Sequence, residues 1–128
     1  MDLITFSAIS YASVTLIVVG FQLALAGGAP WGEFAMGGKY PGQLPPPIRI
    51  AAIIQAALLS LLAVVILSHA GITDLLPTHT KWPLWSVVGI SAISLLMNLL
   101  TPSKKERMIW APTATIMLLA SLVVALSA

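Results

Sequence analysis

The residues of this chain best suited to chemistry are uncharged polar side chains that lie inside long apolar segments. Gln22, Gln55 and Asn98 each fall within such a segment, and Ser94 and Ser91 precede Asn98 by one and two helical turns. In an apolar setting, amide and hydroxyl groups hydrogen-bond between helices or to a bound molecule. No nucleophile–base pair accompanies them, so the pattern predicts binding or helix association and no enzymatic activity.

Titratable residues are scarce and lie mostly between the apolar segments. His69 and His79 flank Asp74, but a metal site needs a further strong ligand at suitable spacing, and none is present. The chain has no cysteine, which excludes disulfides and thiolate ligands. We therefore expect no metal and no cofactor.

Composition indicates the surroundings of the chain. Hydrophobic residues make up 59% of it and charged residues 8%, and its mean hydropathy is +1.01. Soluble domains carry about 25% charged residues, so a surface that faces the lipid bilayer explains the deficit. The net charge of +2 gives no electrostatic basis for nucleic-acid binding.

Four continuous apolar runs predict an all-α fold, because a helix satisfies its own backbone hydrogen bonds in lipid. Each run matches the roughly 20 residues that a bilayer span needs. We predict a single domain, an up-down four-helix transmembrane bundle, with spans over 3–26, 47–70, 83–100 and 103–126. Ser103 and Glu106 have the spacing of a capping box, which predicts that the fourth helix begins near Ser103. Pro112 then lies inside this helix and should kink it. The alternative is a fourth helix that begins at Pro112.

Charge placement predicts the orientation. The first and third loops share one side and hold five basic residues, Lys39, Arg49, Lys104, Lys105 and Arg107. The other side holds only Lys81. Because basic loops stay in the cytoplasm, we expect the first and third loops there and both termini outside.

The first loop, residues 27–47, contains six of the nine glycines and five of the nine prolines of the chain. A flexible linker is one interpretation. We favour an ordered, partly re-entrant loop, because its residues suit specific turns. A short helix is expected over 30–36, closed by the glycine pair that follows. Residues 40–43 fit a type II turn.

The predicted topology places Gln22, Gln55 and Asn98 at similar depth beneath the first loop. One interpretation is interhelical hydrogen bonding, worth about 0.6 kcal/mol per contact. The other is the polar floor of a ligand pocket capped by Trp31 and Glu33. The candidate ligand-binding residues are Gln22, Trp31, Glu33, Gln55, Ser94 and Asn98.

Glu33 is the only acid in the first loop. Arg49 and Arg107 are expected on the same side of the membrane. We therefore expect a Glu33–arginine ion pair that holds the loop over the bundle.

Two stretches of the chain carry a family resemblance. Residues 28–33 read Gly-Ala-Pro-Trp-Gly-Glu, with Met-Gly-Gly at 36–38 and Leu44-Pro45. Later come Met97-Asn98-Leu99, then Ser103, Glu106-Arg107, Trp110 and Pro112. Together they resemble a group of small bacterial four-span membrane proteins, across nearly the whole chain. The resemblance implies a bacterial inner-membrane protein of this topology, and it implies no activity or ligand.

These observations favour a non-enzymatic membrane protein. It would bind a small apolar or amphipathic molecule within the bundle, or serve as an accessory subunit of a membrane complex. The alternative is an oligomeric small-molecule transporter. A binding protein should have a cavity that touches Gln22, Gln55, Asn98 and Trp31. A transporter should have a path to both sides, and an accessory subunit should have no cavity.

Overall fold

The computed structural model describes all 128 residues and contains no strand. It has four long helices, α1 (Leu3–Ala26), α2 (Pro46–His69), α3 (Trp82–Leu100) and α4 (Lys104–Ser127). Each helix is long and apolar enough to cross a membrane, so the chain is an integral membrane protein. The predicted four-helix transmembrane fold is confirmed.

Local sequence explains where the helices begin. The Asp2 carboxylate accepts the Thr5 backbone N–H at 2.7 Å and caps α1. The Ser103 hydroxyl accepts the Glu106 N–H at 3.2 Å and caps α4. Because Pro112 lies inside the continuous α4 helix, the alternative start at Pro112 is wrong. All helix ends fall within one residue of the predicted spans.

The four helices form an incomplete ring. α1 packs along both α2 and α4, and α4 packs along α3, whereas α2 and α3 make little contact. The order around the bundle is therefore α2–α1–α4–α3, with a gap between the outer two helices.

The two ends of the bundle differ in packing. At the end that carries both chain termini, here called the terminal end, a buried core joins all four helices through residues such as Tyr11, Leu62, Leu84 and Val124. At the opposite end, here called the first-loop end, a smaller core contains Leu25, Ala35, Leu44 and Ala52. The first loop is thus packed onto the helices.

The first loop consists of two 3₁₀ turns, Gly32–Phe34 and Met36–Gly38, with an extended residue, Ala35, between them. The single short helix expected over 30–36 is wrong. The backbone does not continue as one helix, and the Gly32 N–H donates instead to the Gly42 carbonyl at 2.8 Å. Gly42 has a φ of +81°, as the third position of a type II turn requires.

Candidate functional site

A cavity of about 510 Å³ lies between the helices and under the first loop. All four helices line it, and loop residues 34–36 close its first-loop end. Its volume falls within the range of roughly 300–1,000 Å³ that is typical of small-molecule sites. Toward the terminal end it stops at Tyr11, Leu62 and Met117, which belong to the buried core.

The cavity opens sideways, between α2 and α3. Leu58 of α2 is 39% exposed, and Ile93 and Met97 of α3 are 61% and 55% exposed, although all three line the cavity. In a membrane this gap faces lipid. A molecule dissolved in the bilayer can therefore reach the cavity without crossing water.

Four of the six candidate residues line this cavity, namely Gln22, Gln55, Ser94 and Asn98. The amides do not join neighbouring helices. The Asn98 Nδ2 group donates to the Ser94 carbonyl of its own helix at 2.7 Å, and the buried Gln22 Oε1 atom has no partner. Interhelical hydrogen bonding therefore does not account for these side chains, and they remain available to a ligand.

Trp31 lies outside the cavity lining and is 45% exposed. Its ring stacks on Phe21, with centroids 6.1 Å apart and an interplanar angle of 9°. Phe21 does line the cavity and also contacts the Trp110 ring, at 4.7 Å between centroids. Trp31 thus packs against the outer side of Phe21, and it does not cap the cavity.

Glu33 also lies outside the lining. Its carboxylate pairs with Lys105 Nζ at 3.0 Å, so the expected arginine partner is wrong. Both arginines are engaged by backbone carbonyls, since Arg49 donates to Leu44 at 2.8 Å and Arg107 to Thr101 at 2.9 Å. The Glu33–Lys105 pair is largely exposed, and such pairs contribute about 1 kcal/mol or less.

The sequence interpretation missed Glu106, which lines the first-loop end of the cavity. Only one of the two hydrogen bonds of the predicted capping box forms, from the Glu106 N–H to the Ser103 hydroxyl. The Glu106 Oε2 atom accepts the Gly37 N–H at 2.8 Å and the Thr101 hydroxyl at 3.2 Å, so its carboxylate serves the first loop instead of the Ser103 N–H. Among the residues that line the cavity, Glu106 is the only one with a charged side chain.

The spacing of residues along α4 could have indicated that Glu106 belongs to the cavity lining. Glu106, Trp110, Thr113 and Met117 recur at intervals of three or four residues, which puts them on one face of a helix. All four line the cavity. The polar members of this face mark it as lining a site rather than a purely apolar core.

Two further hydrogen bonds fix the first loop to α4. The Trp110 Nε1–H group donates to the Phe34 carbonyl at 2.7 Å, and the Ser103 hydroxyl donates to the Glu33 carbonyl at 3.0 Å. Together with the Glu106–Gly37 bond, they connect both 3₁₀ turns to the start of α4. These hydrogen bonds hold the first loop in place over the first-loop end of the cavity.

Tyr11 forms the other end of the cavity. Its side chain is fully buried and lines the cavity, and its hydroxyl lies beside the Ser91 side chain of α3 without a hydrogen bond of good geometry. An unsatisfied buried polar group costs about 1–3 kcal/mol. The buried Gln22 Oε1 atom, which has no partner, thus leaves unmet hydrogen-bonding capacity in the cavity.

His69 attaches the second loop to the end of α2. The two ring nitrogens of His69 lie 3.0 Å from the Val65 carbonyl and 3.2 Å from the Thr80 carbonyl, which ties the end of α2 to the residues before α3. No group of three His, Cys, Asp or Glu side chains is close enough to hold a metal ion.

Comparisons of the chain with protein-family models, with curated proteins and with solved structures found no match. The resemblance carried by the first loop therefore stays a prediction.

Proposed function

We propose that this membrane protein binds a small amphipathic molecule that enters the cavity from the bilayer. The observation that carries this proposal is the position of Gln22, Gln55, Ser94 and Asn98 in one cavity that opens between α2 and α3. A wall that combines apolar side chains with a few convergent polar groups is typical of small-molecule sites. The lateral opening suits a ligand whose apolar part stays in lipid.

The proposed activity is non-enzymatic. The single carboxylate in the lining, Glu106, is engaged by two donors of the loop region, and no histidine, lysine or cysteine lies beside it in the lining. A hydrolytic or transfer reaction needs a nucleophile and a base within reach of each other. The surroundings of Glu106 therefore favour binding over catalysis.

The transporter alternative is less well supported. It requires a path to both sides of the membrane, whereas the buried core around Leu62, Leu84 and Val124 fills the terminal end of the bundle. The accessory-subunit alternative is also less well supported, because it predicts a bundle without a cavity.

A pair of serine substitutions tests the binding proposal. Ser94 and Ser86 are both exposed residues of α3, but only Ser94 lines the cavity. We expect the full chain, purified in mild detergent, to retain a bound amphiphile in native mass spectrometry. Ser94→Phe should abolish this adduct by filling the lateral opening, and the matched Ser86→Phe should retain it. Equal adducts in both variants would overturn the proposal.

We further propose that the protein lies in a bacterial inner membrane, as the resemblance carried by the first loop implies, and that both termini are outside, as the excess of basic residues in the first and third loops indicates. The chain has no cysteine, so single-cysteine variants report the orientation directly. An impermeant maleimide applied to intact cells should label Ser127→Cys and leave Gln43→Cys unlabelled. The reverse labelling would contradict this orientation.

A further inference from the structure

The charge of the cavity identifies a class of ligand. We propose, on the basis of the proposed binding function, that the cavity selects an amphipathic cation, such as an organic ammonium with an apolar chain. Its charged head lies against Glu106 under the first loop, and its apolar part lies between α2 and α3.

The sign of the charge in the cavity lining favours a cation. Glu106 is the only charged residue of the lining. Lys105, its neighbour in sequence, is outside the lining and pairs with Glu33 at 3.0 Å. An anionic head in this cavity would meet a carboxylate and no positively charged residue of the lining. A cationic head would gain a charged partner in a site where desolvation makes an unpaired charge costly.

Two amide oxygens in the cavity lining are free to accept hydrogen bonds. The buried Gln22 Oε1 atom is an acceptor without a partner. Asn98 commits its Nδ2 group to the Ser94 carbonyl and keeps its amide oxygen as an acceptor. These two amide oxygens can each accept a hydrogen bond from an N–H group of an ammonium.

Aromatic side chains at the first-loop end of the cavity also favour a cation. Phe21 and Trp110 line the cavity with their rings 4.7 Å apart, whereas the ring of Phe34, also in the lining, already has Lys105 Nζ 6.0 Å from its centroid. The faces of aromatic rings attract cations. Carboxylate, amide acceptors and aromatic rings thus meet at the first-loop end of the cavity, and each of them favours positive charge.

Three probes with one chain length test this proposal on the unmodified protein. Dodecylammonium, dodecanol and dodecanoate differ only in the head group, and each is titrated against the full chain in maltoside micelles, with the bound fraction read by native mass spectrometry. We expect dodecylammonium to bind at least about tenfold more tightly than the other two, because a hydrogen bond to a charged group contributes about 1.5–3 kcal/mol. Equal or tighter binding of dodecanol or dodecanoate would overturn the proposal.

Glu106→Gln tests the residue itself. The glutamine oxygen can still accept the Gly37 and Thr101 hydrogen bonds, so the loop keeps its attachment. We expect the variant to bind dodecylammonium about tenfold to a hundredfold more weakly, whereas Glu33→Gln, outside the lining, should match the unmodified protein. Comparing variants in the same micelles cancels differences in probe partition. Unchanged dodecylammonium binding in Glu106→Gln would contradict the assignment.

The two proposals fail in different ways. If dodecanol or dodecanoate binds in the cavity and is displaced by Ser94→Phe, the cation preference is wrong and the binding function stands. If none of the three probes binds, both proposals are overturned.

Discussion

At the level of single residues, α1 shows how a polar group can cost stability and serve binding. Thr15 and Gln22 both carry a buried oxygen atom without a hydrogen-bond partner. Gln22 lines the cavity, whereas Thr15 does not. Substitutions at these two residues can therefore distinguish the free-energy cost of burying a polar group from its contribution to ligand binding.

We expect Gln22→Leu to raise the stability of the ligand-free protein by about 1 kcal/mol or more, because it removes a buried unsatisfied acceptor. The same change should weaken binding of the ligand. Thr15→Val should also raise stability but leave binding unchanged. Thermal unfolding followed by circular dichroism in detergent, with the bound fraction measured in parallel, checks both expectations. A lower melting temperature for Gln22→Leu would mean that its amide has a stabilising partner.

Residue types alone predicted the three amide side chains of the cavity lining but not its charged member. Gln22, Gln55 and Asn98 stood out because amides are rare in apolar spans. Glu106 was interpreted as a helix cap, since its spacing from Ser103 fits a capping box. Its carboxylate bonds to Gly37, which is 69 residues away in sequence, and local spacing cannot reveal a partner at that distance.

At the level of elements, the helices were predictable and the first loop was only partly so. Continuous apolar runs of the right length, with Pro, Gly or Ser at their ends, indicate where membrane helices begin and end. The loop was correctly expected to be ordered. Its conformation depends on hydrogen bonds from Trp110 and Ser103 of the α4 region, and these long-range contacts replaced the expected short helix with two 3₁₀ turns.

A glycine substitution tests this element. A Cβ atom at Gly32 would lie 1.8 Å from the Tyr40 carbonyl oxygen, whereas one at Gly20 would meet nothing within 4 Å. We expect Gly32→Ala to displace the loop and lower the melting temperature, because a backbone carbonyl must move. Gly20→Ala, the matched control in α1, should melt at the same temperature as the unmodified protein or slightly higher.

Limited proteolysis distinguishes a displaced loop from general unfolding. We expect trypsin to cleave Gly32→Ala after Lys39 at a temperature at which Gly20→Ala and the unmodified protein stay intact. If Gly32→Ala resists cleavage and melts normally, the first loop is not packed as described.

At the level of the whole molecule, the gap between α2 and α3 connects the fold to the proposed function. Three of the four neighbouring helix pairs pack closely, and the fourth pair leaves a lateral entrance. The sequence could not predict which pair this is, because side chains that face lipid are as apolar as those that face another helix. Only the assembled bundle distinguishes Met97, which borders the entrance, from an apolar residue on the outer surface.

The most direct test of the account is where an amphiphile contacts the protein in a bilayer. We would incorporate an alkylammonium with a diazirine in its chain into nanodiscs that contain the full chain, irradiate them, and map the labelled residues by mass spectrometry. We expect labelling to concentrate on Leu58 and Met97, at the entrance, over Ile17 and Leu119, which are comparably or more exposed but lie on outer faces. Equal labelling of all four residues would contradict the claim that the cavity between α2 and α3 is a ligand site.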